Sequence, residues 1–159
     1  MKSATMPHVS RRITAGALTA VLMLCLLPTV PLRGSDSSIE LGKTKSLAES
    51  QHEIVMLLMK KKEYQKAAIE AHKIFEMKWP EDQEPLLIRE LLLISGRFVR
   101  QGQAGLSLEF IEQNSKCFKS TPSKIAILKE KGYLYKAMNQ NEKAKEYFLK
   151  AIELEKKTD

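Results

Sequence analysis

Residues 131–154 read KGYLYKAMNQNEKAKEYFLKAIEL. A small residue, Gly132, is followed three places later by an aromatic, Tyr135. The polar stretch Asn139–Asn141 then interrupts the apolar pattern. Beyond it Ala144, Phe148 and Ala151 recur at spacings of four and three. Those spacings bring the three side chains onto one face of an α-helix. Two helices joined by a short turn are therefore expected. Gly132 and Ala144 are the points where the two backbones approach.

The same layout recurs upstream. Three segments align on their turns: Lys60–Ala67 (KKKEYQKA), Arg100–Ser107 (RQGQAGLS) and Ala137–Ala144 (AMNQNEKA). Each ends in a small residue, Ala67, Ser107 or Ala144. Four residues later stand Ala71, Ile111 and Phe148; twelve before stand Val55, Ser95 and Gly132; nine before stand Leu58, Phe98 and Tyr135. The size order is kept best in the third segment. The second puts Asn114 in the place of Ala151, and the first puts Val55 in the place of the glycine.

This pattern resembles the tetratricopeptide repeat, in which a small residue, an aromatic three later, and Ala-x-x-x-Phe mark two packed helices. The resemblance covers residues 45–159. The phase steps, 40 and 37 residues, exceed the usual repeat of about 34. The surplus falls in the proline-bearing breaks, where loops tolerate insertion. The resemblance implies an all-α fold: a right-handed superhelical stack of three helical hairpins. One hairpin cannot bury its apolar face alone, so hairpins stack. The implied repeat core is Leu58, Ala67, Ser95, Phe98, Ser107, Ile111, Gly132, Tyr135, Ala144, Phe148 and Ala151.

Composition agrees with an all-helical body. From residue 45 to 157, Leu, Ala, Lys, Glu, Gln and Met dominate, all strong helix formers. No alternating run is long enough for a sheet. Trp79–Pro85 (WPEDQEP) and Ser115–Pro122 break the helical pattern, because proline lacks an amide donor and restricts its predecessor. Six helices are expected, at about 45–60, 64–78, 86–100, 104–115, 123–138 and 141–157.

Residues 1–34 read differently. They hold Lys2, Arg11, Arg12 and Arg33, no acidic residue, and an apolar run from Ile13 to Leu27. A basic start followed by such a run has the layout of a secretory signal. Fifteen residues is short of the roughly 20 of a membrane span, and Pro28 and Pro31 interrupt any extension. A signal peptide is favoured over a retained N-terminal membrane anchor. Leu24 before Cys25 speaks against a lipoprotein signal, and Thr14 against a twin-arginine one. Residues 35–44 (SDSSIELGKT) read as a flexible linker. The expected location is exported: periplasmic, or held at the membrane by residues 1–34.

Charge follows from that division. The whole chain carries 26 basic and 19 acidic residues, net +7. Four of the basic residues lie in 1–34 and no acidic one does, so the remainder carries 22 − 19 = +3. That is an ordinary solvated surface. No basic stripe with interleaved aromatics accompanies it, so nucleic acid is not an expected partner.

Catalytic chemistry has little to stand on. Beyond residue 34 there are two histidines, His52 and His72, and one cysteine, Cys117. They lack zinc-ligand spacing, and His52-Glu53 has no second histidine four residues on. Gly102 and Gly105 lack the strand that a phosphate loop follows. The lone thiol cannot close an intramolecular disulfide, and burial is its expected fate. Neither cofactor nor metal is expected, and the chain is not expected to be an enzyme.

In tetratricopeptide arrays the first helix of each pair lines a concave groove. The resemblance carries that role to Glu49, His52, Met56 and Met59, then Arg89, Leu92, Gly96 and Val99, then Ala126, Lys129, Tyr133 and Lys136. Such a groove is apolar at one end and basic with an aromatic at the other. It suits a protein or peptide with an apolar segment and some acidic charge. Met56 and Met59 equally suit a core, and Lys129 and Lys136 equally suit a solvated face. The Lys/Asn clamp that some family members close on a C-terminal carboxylate is not reproduced. Tyr147, Ile152 and Leu154 are expected on the terminal face, where self-association is one way to cover them. The expected function is an adaptor or scaffold for protein–protein interaction in envelope assembly, secretion or cofactor maturation. The alternatives are a self-associating structural oligomer and a non-catalytic subunit of an enzyme complex.

Overall fold

A computed structural model describes residues 34–158, with side chains from residue 37. Six α-helices follow in order: α1 (Gly34–Lys60), α2 (Tyr64–Glu76), α3 (Glu84–Arg100), α4 (Ala104–Asn114), α5 (Thr121–Ala137) and α6 (Asn141–Lys156). Single 3-10 turns at Glu81–Gln83 and Ser115–Cys117 occupy the two breaks. No strand occurs among the described residues. Pro85 and Pro122 sit in the first turns of α3 and α5, where a missing amide costs nothing.

The expected linker at 35–44 is a correction. In the structure α1 begins at Gly34, so this segment is helical. Once the packed part of α1 is nucleated, each added residue gains a backbone bond at little cost. Thr44 Oγ1 and Ser50 Oγ also donate back to the carbonyls of Glu40 and Ser46, at 3.1 and 3.0 Å. The proposed leader lies outside the described residues, apart from Gly34 at the start of α1. Among the described residues no helix is long and apolar enough to cross a membrane.

The three turns within the hairpins are built alike. Glu63 N–H donates to Leu58 O, Gln103 N–H to Phe98 O, and Gln140 N–H to Tyr135 O, at 2.8–2.9 Å. One residue earlier, Lys62, Gly102 and Asn139 donate to Met59, Val99 and Lys136. This pair of bonds is the Schellman arrangement, which requires a left-handed residue after the helix. That residue is Lys62 (φ 61°), Gly102 (φ 74°) or Asn139 (φ 59°). All three precede their small residue, Ala67, Ser107 or Ala144, by the same distance in sequence. The register read from side-chain size is thus the register of the backbone.

Helices pair as α1 with α2, α3 with α4, and α5 with α6. Successive hairpins touch through α2 with α3 and α4, and through α5 with α3 and α4. Ala67, Ser95, Phe98, Ser107, Ile111, Gly132, Ala144 and Ala151 are buried, while Leu58, Tyr135 and Phe148 are only half-buried. The three exceptions belong to the first and last of the described hairpins. The core also contains a run of four phenylalanines that the repeat pattern does not mark. Phe98 meets Phe110 edge-on at 5.8 Å, Phe110 meets Phe75 at 5.8 Å, and Phe75 meets Phe118 at 6.3 Å. Edge-to-face contacts at this range add to area burial.

Polar pins hold the hairpins in register. Ser107 Oγ lies 2.7 Å from Ser95 Oγ, which donates to Glu130 on α5 at 2.5 Å. A one-way relay results, because the carboxylate can only accept. Asn114, fully buried, accepts from His72 Nδ1–H at 2.7 Å and donates to Phe110 O at 2.8 Å. Its polarity at the place of Ala151 is therefore satisfied. Among the described residues no buried side-chain polar atom lacks a partner.

Candidate binding groove

The groove-facing positions differ in exposure. Met59 is 6% exposed and packs in the core, and its remaining surface borders a recess between α1 and α3. Val99, Leu92 and Met56 are half-buried, as are Gly96 and Ala126; Glu49, Arg89 and Lys136 are exposed. An apolar side chain at the seam between α1 and α3 turns toward its neighbouring helix, since water penalises its exposure. Met59 follows that rule.

Between α1 and α3 the structure places two adjoining recesses. The first, of about 340 Å³, lies among Ala48, Ile74, Trp79, Leu86 and Leu87, rimmed by Lys45, Glu49, His52, Glu53 and Glu90. Its floor is apolar and three of its rim groups are carboxylates. Trp79 is held there by its indole N–H, which donates to Ile74 O at 2.7 Å. The His52 Nδ1–H donates to the Glu90 carboxylate and pins α1 to α3 across this recess. The second, of about 500 Å³, is lined by Met56, Met59, Lys60, Lys62, Arg97 and Gln101. Its side chains are cationic around a thioether floor.

The groove expected from sequence has its basic end on the third hairpin, where Tyr133 and Lys136 are exposed. Lys129 Nζ pairs with Glu155 at 3.0 Å. Tyr133, 59% exposed, sets its ring edge against Phe148 at 5.1 Å. A second group of cationic side chains, Lys60, Lys62 and Arg97, borders the recess of about 500 Å³. Sequence reasoning missed Trp79, Leu86 and Glu90 as well. Trp79 is the single tryptophan, and it stands before Pro80 in a break. A large aromatic in a loop needs an apolar surface to lie on, and that was the available signal.

Two other residues singled out in the sequence, Tyr147 and Cys117, are half-buried. Tyr147, expected partly exposed on the terminal face, is half-buried and stacks on Tyr135 at 5.2 Å. Burial, and then the neighbouring Tyr147, hold the Tyr135 hydroxyl above its ordinary pKa. Cys117 is half-buried and its Sγ donates toward Phe75 O at 3.8 Å. Burial raises its thiol pKa, against the nearby Lys116. A raised thiol is a poor nucleophile. Among the described residues no three His, Cys, Asp or Glu side chains are arranged to hold a metal ion.

Residues 130–158 match the family model described as the tetratricopeptide repeat. The match falls on α5 and α6, the hairpin that carries the motif best in sequence. It supports the family resemblance and, with it, a role in binding other proteins. No curated protein and no solved structure matches the chain.

Proposed function

We propose that this chain is an exported adaptor that binds a protein segment across the α1–α3 recesses and carries out no catalysis itself. Export rests on the basic start and apolar run of residues 1–34. The observation that carries the binding role is the pair of adjoining recesses. One presents Trp79 and Leu86 beneath a carboxylate rim, and the other presents Lys60, Lys62 and Arg97 around methionine. Leu86 is 43% exposed although it borders the core. An extended or helical segment with an apolar anchor fits the first recess, and an acidic residue beside that anchor reaches the second. The right-handed curl of a tetratricopeptide stack would bring α1, α3 and α5 to its inner surface, and Tyr133 and Lys136 would extend the contact toward the third hairpin.

The test uses Trp79 as a reporter, since no other tryptophan competes. A photo-crosslinking residue in place of Leu86, and a second in place of Glu109 on α4, are introduced in the native host. A defined protein captured from position 86 and absent from position 109 is expected. A peptide from the captured region should then shift Trp79 emission, and Leu86→Glu should abolish the shift. Equal capture at both positions, or a peptide that leaves Trp79 emission unmoved, would overturn the reading.

A further inference from the structure

The junctions between hairpins have counterparts at the two ends of the stack. Leu134 on α5 is 1% exposed and belongs to the core cluster. Leu57 holds the same place in the first hairpin, two residues after Val55 as Leu134 is two after Gly132. Leu57 is 58% exposed. Around it Leu47 and Ile54 are 62% and 44% exposed, and on the opposite end of the stack Leu149 and Ile152 are 55% and 45% exposed.

These exposed residues correspond, pair by pair, to residues that meet inside the chain. Between the second and third hairpins, Glu112 meets Lys131 at 3.2 Å. In repeat register Glu112 corresponds to Leu149, five residues after the small residue of the second helix, and Lys131 corresponds to Ile54. Between the first and second hairpins, Phe75 and Leu87 border one cavity. Phe75 corresponds to Ile152, and Leu87 to Leu47. Tyr64 Oη donates to Gln101 Oε1 at 3.2 Å across the same junction. Those two correspond to Asn141 and Lys61, an amide and an ammonium that can also hydrogen-bond. The polar pair Glu112–Lys131 inside the chain thus becomes an apolar pair between the ends.

We propose that the occupant of each end face is a second copy of this chain, stacked head to tail. Leu149 and Ile152 of one copy lie on Ile54 and Leu47 of the next. The junction repeats the hairpin-on-hairpin geometry already used twice within the chain. Such a contact is heterologous and grows into a ring or an open stack rather than closing at a dimer. It uses none of the side chains lining the α1–α3 recesses, so it stands or falls apart from the binding role.

The full 159-residue chain is followed by sedimentation equilibrium over increasing concentration. The mass is expected to rise past that of a dimer. Leu149→Glu and Ile54→Lys, both at exposed positions, should each raise the concentration needed by about tenfold or more. Mixing the two variants should restore association. The new carboxylate then faces the new ammonium as Glu112 faces Lys131. A wild-type chain that stays monomeric overturns the proposal, and so do single variants that associate as well as wild type, which would put the contact elsewhere, residues 1–33 included. Sensitivity to Ile54→Lys alone would show a face-to-face dimer and overturn it too, as would a mixture that fails to recover.

Discussion

The ring of Phe148 lies so close to Gly132 that a Cβ on the glycine would fall 2.6 Å from Cε1 and 2.8 Å from two further ring carbons. Gly132 is buried in the middle of α5, where glycine is intrinsically unfavourable by about 1 kcal/mol relative to alanine. The close approach of α6 is what that cost secures. Tyr133 backs the same ring from outside, so the ring cannot swing away freely.

Gly132→Ala should therefore destabilise the protein by about 1–2 kcal/mol, the overpacking cost exceeding the gain in helix propensity. Gly96 in α3 is the control. A Cβ there meets only Arg100 Nη1, at 3.5 Å. Gly96→Ala should stabilise by about 0.5–1 kcal/mol. Urea melts of both variants decide. Stabilisation by both would mean that the α5–α6 contact is looser than described.

Glu84 ties the start of α3 to the start of α5. Its carboxylate accepts from Ser120 Oγ at 2.5 Å and from the amides of Ser120 and Lys119 at 3.0 and 3.2 Å. Burial alone would raise its pKa. The hydroxyls of Ser120 and Ser123 and the two amides outweigh burial and hold it at about 2, below the ordinary 4.5. A lowered folded pKa gives stability that is complete above the unfolded value and lost as pH falls through the folded one. The wild type should thus lose this contribution between pH 4.5 and about 2. Glu84→Gln should cost about 1–2 kcal/mol at neutral pH, allowing for partial solvent screening. It should also flatten the acid side of the stability profile. Parallel wild-type and variant profiles in acid would remove Glu84 from this role.

The shared left-handed position in the three turns makes a third forecast. Lys62 carries a Cβ where Gly102 carries none, at nearly the same φ. Lys62→Gly should stabilise by about 0.5–1 kcal/mol, and Gly102→Ala should destabilise by about 1 kcal/mol. Thermal melts distinguish them by sign. A Lys62→Gly variant less stable than wild type would point to a contact of the lysine side chain worth more than the backbone strain.

The resemblance of residues 130–158 to a tetratricopeptide repeat, the six helices and the phase of the three turns were legible in the sequence. They depend on local rules: helix propensity, proline breaks, the spacing of Gly132, Tyr135, Ala144 and Phe148. Each rule acts within a few residues, so a linear reading captures it. The fate of residues 35–44 was less legible, because a polar segment takes its conformation from the helix it continues. Met59, Trp79, Glu90 and the phenylalanine run were decided only by the tertiary structure. Their surroundings come from residues 20 to 40 positions away, as with His52 and Glu90 or Phe75 and Phe110. Sequence sets which faces are apolar. Which apolar side chains are covered, and which charged ones gather around a recess, depends on where the neighbouring hairpin lies. Leu134 and Leu57, alike in sequence register, end at 1% and 58% exposure.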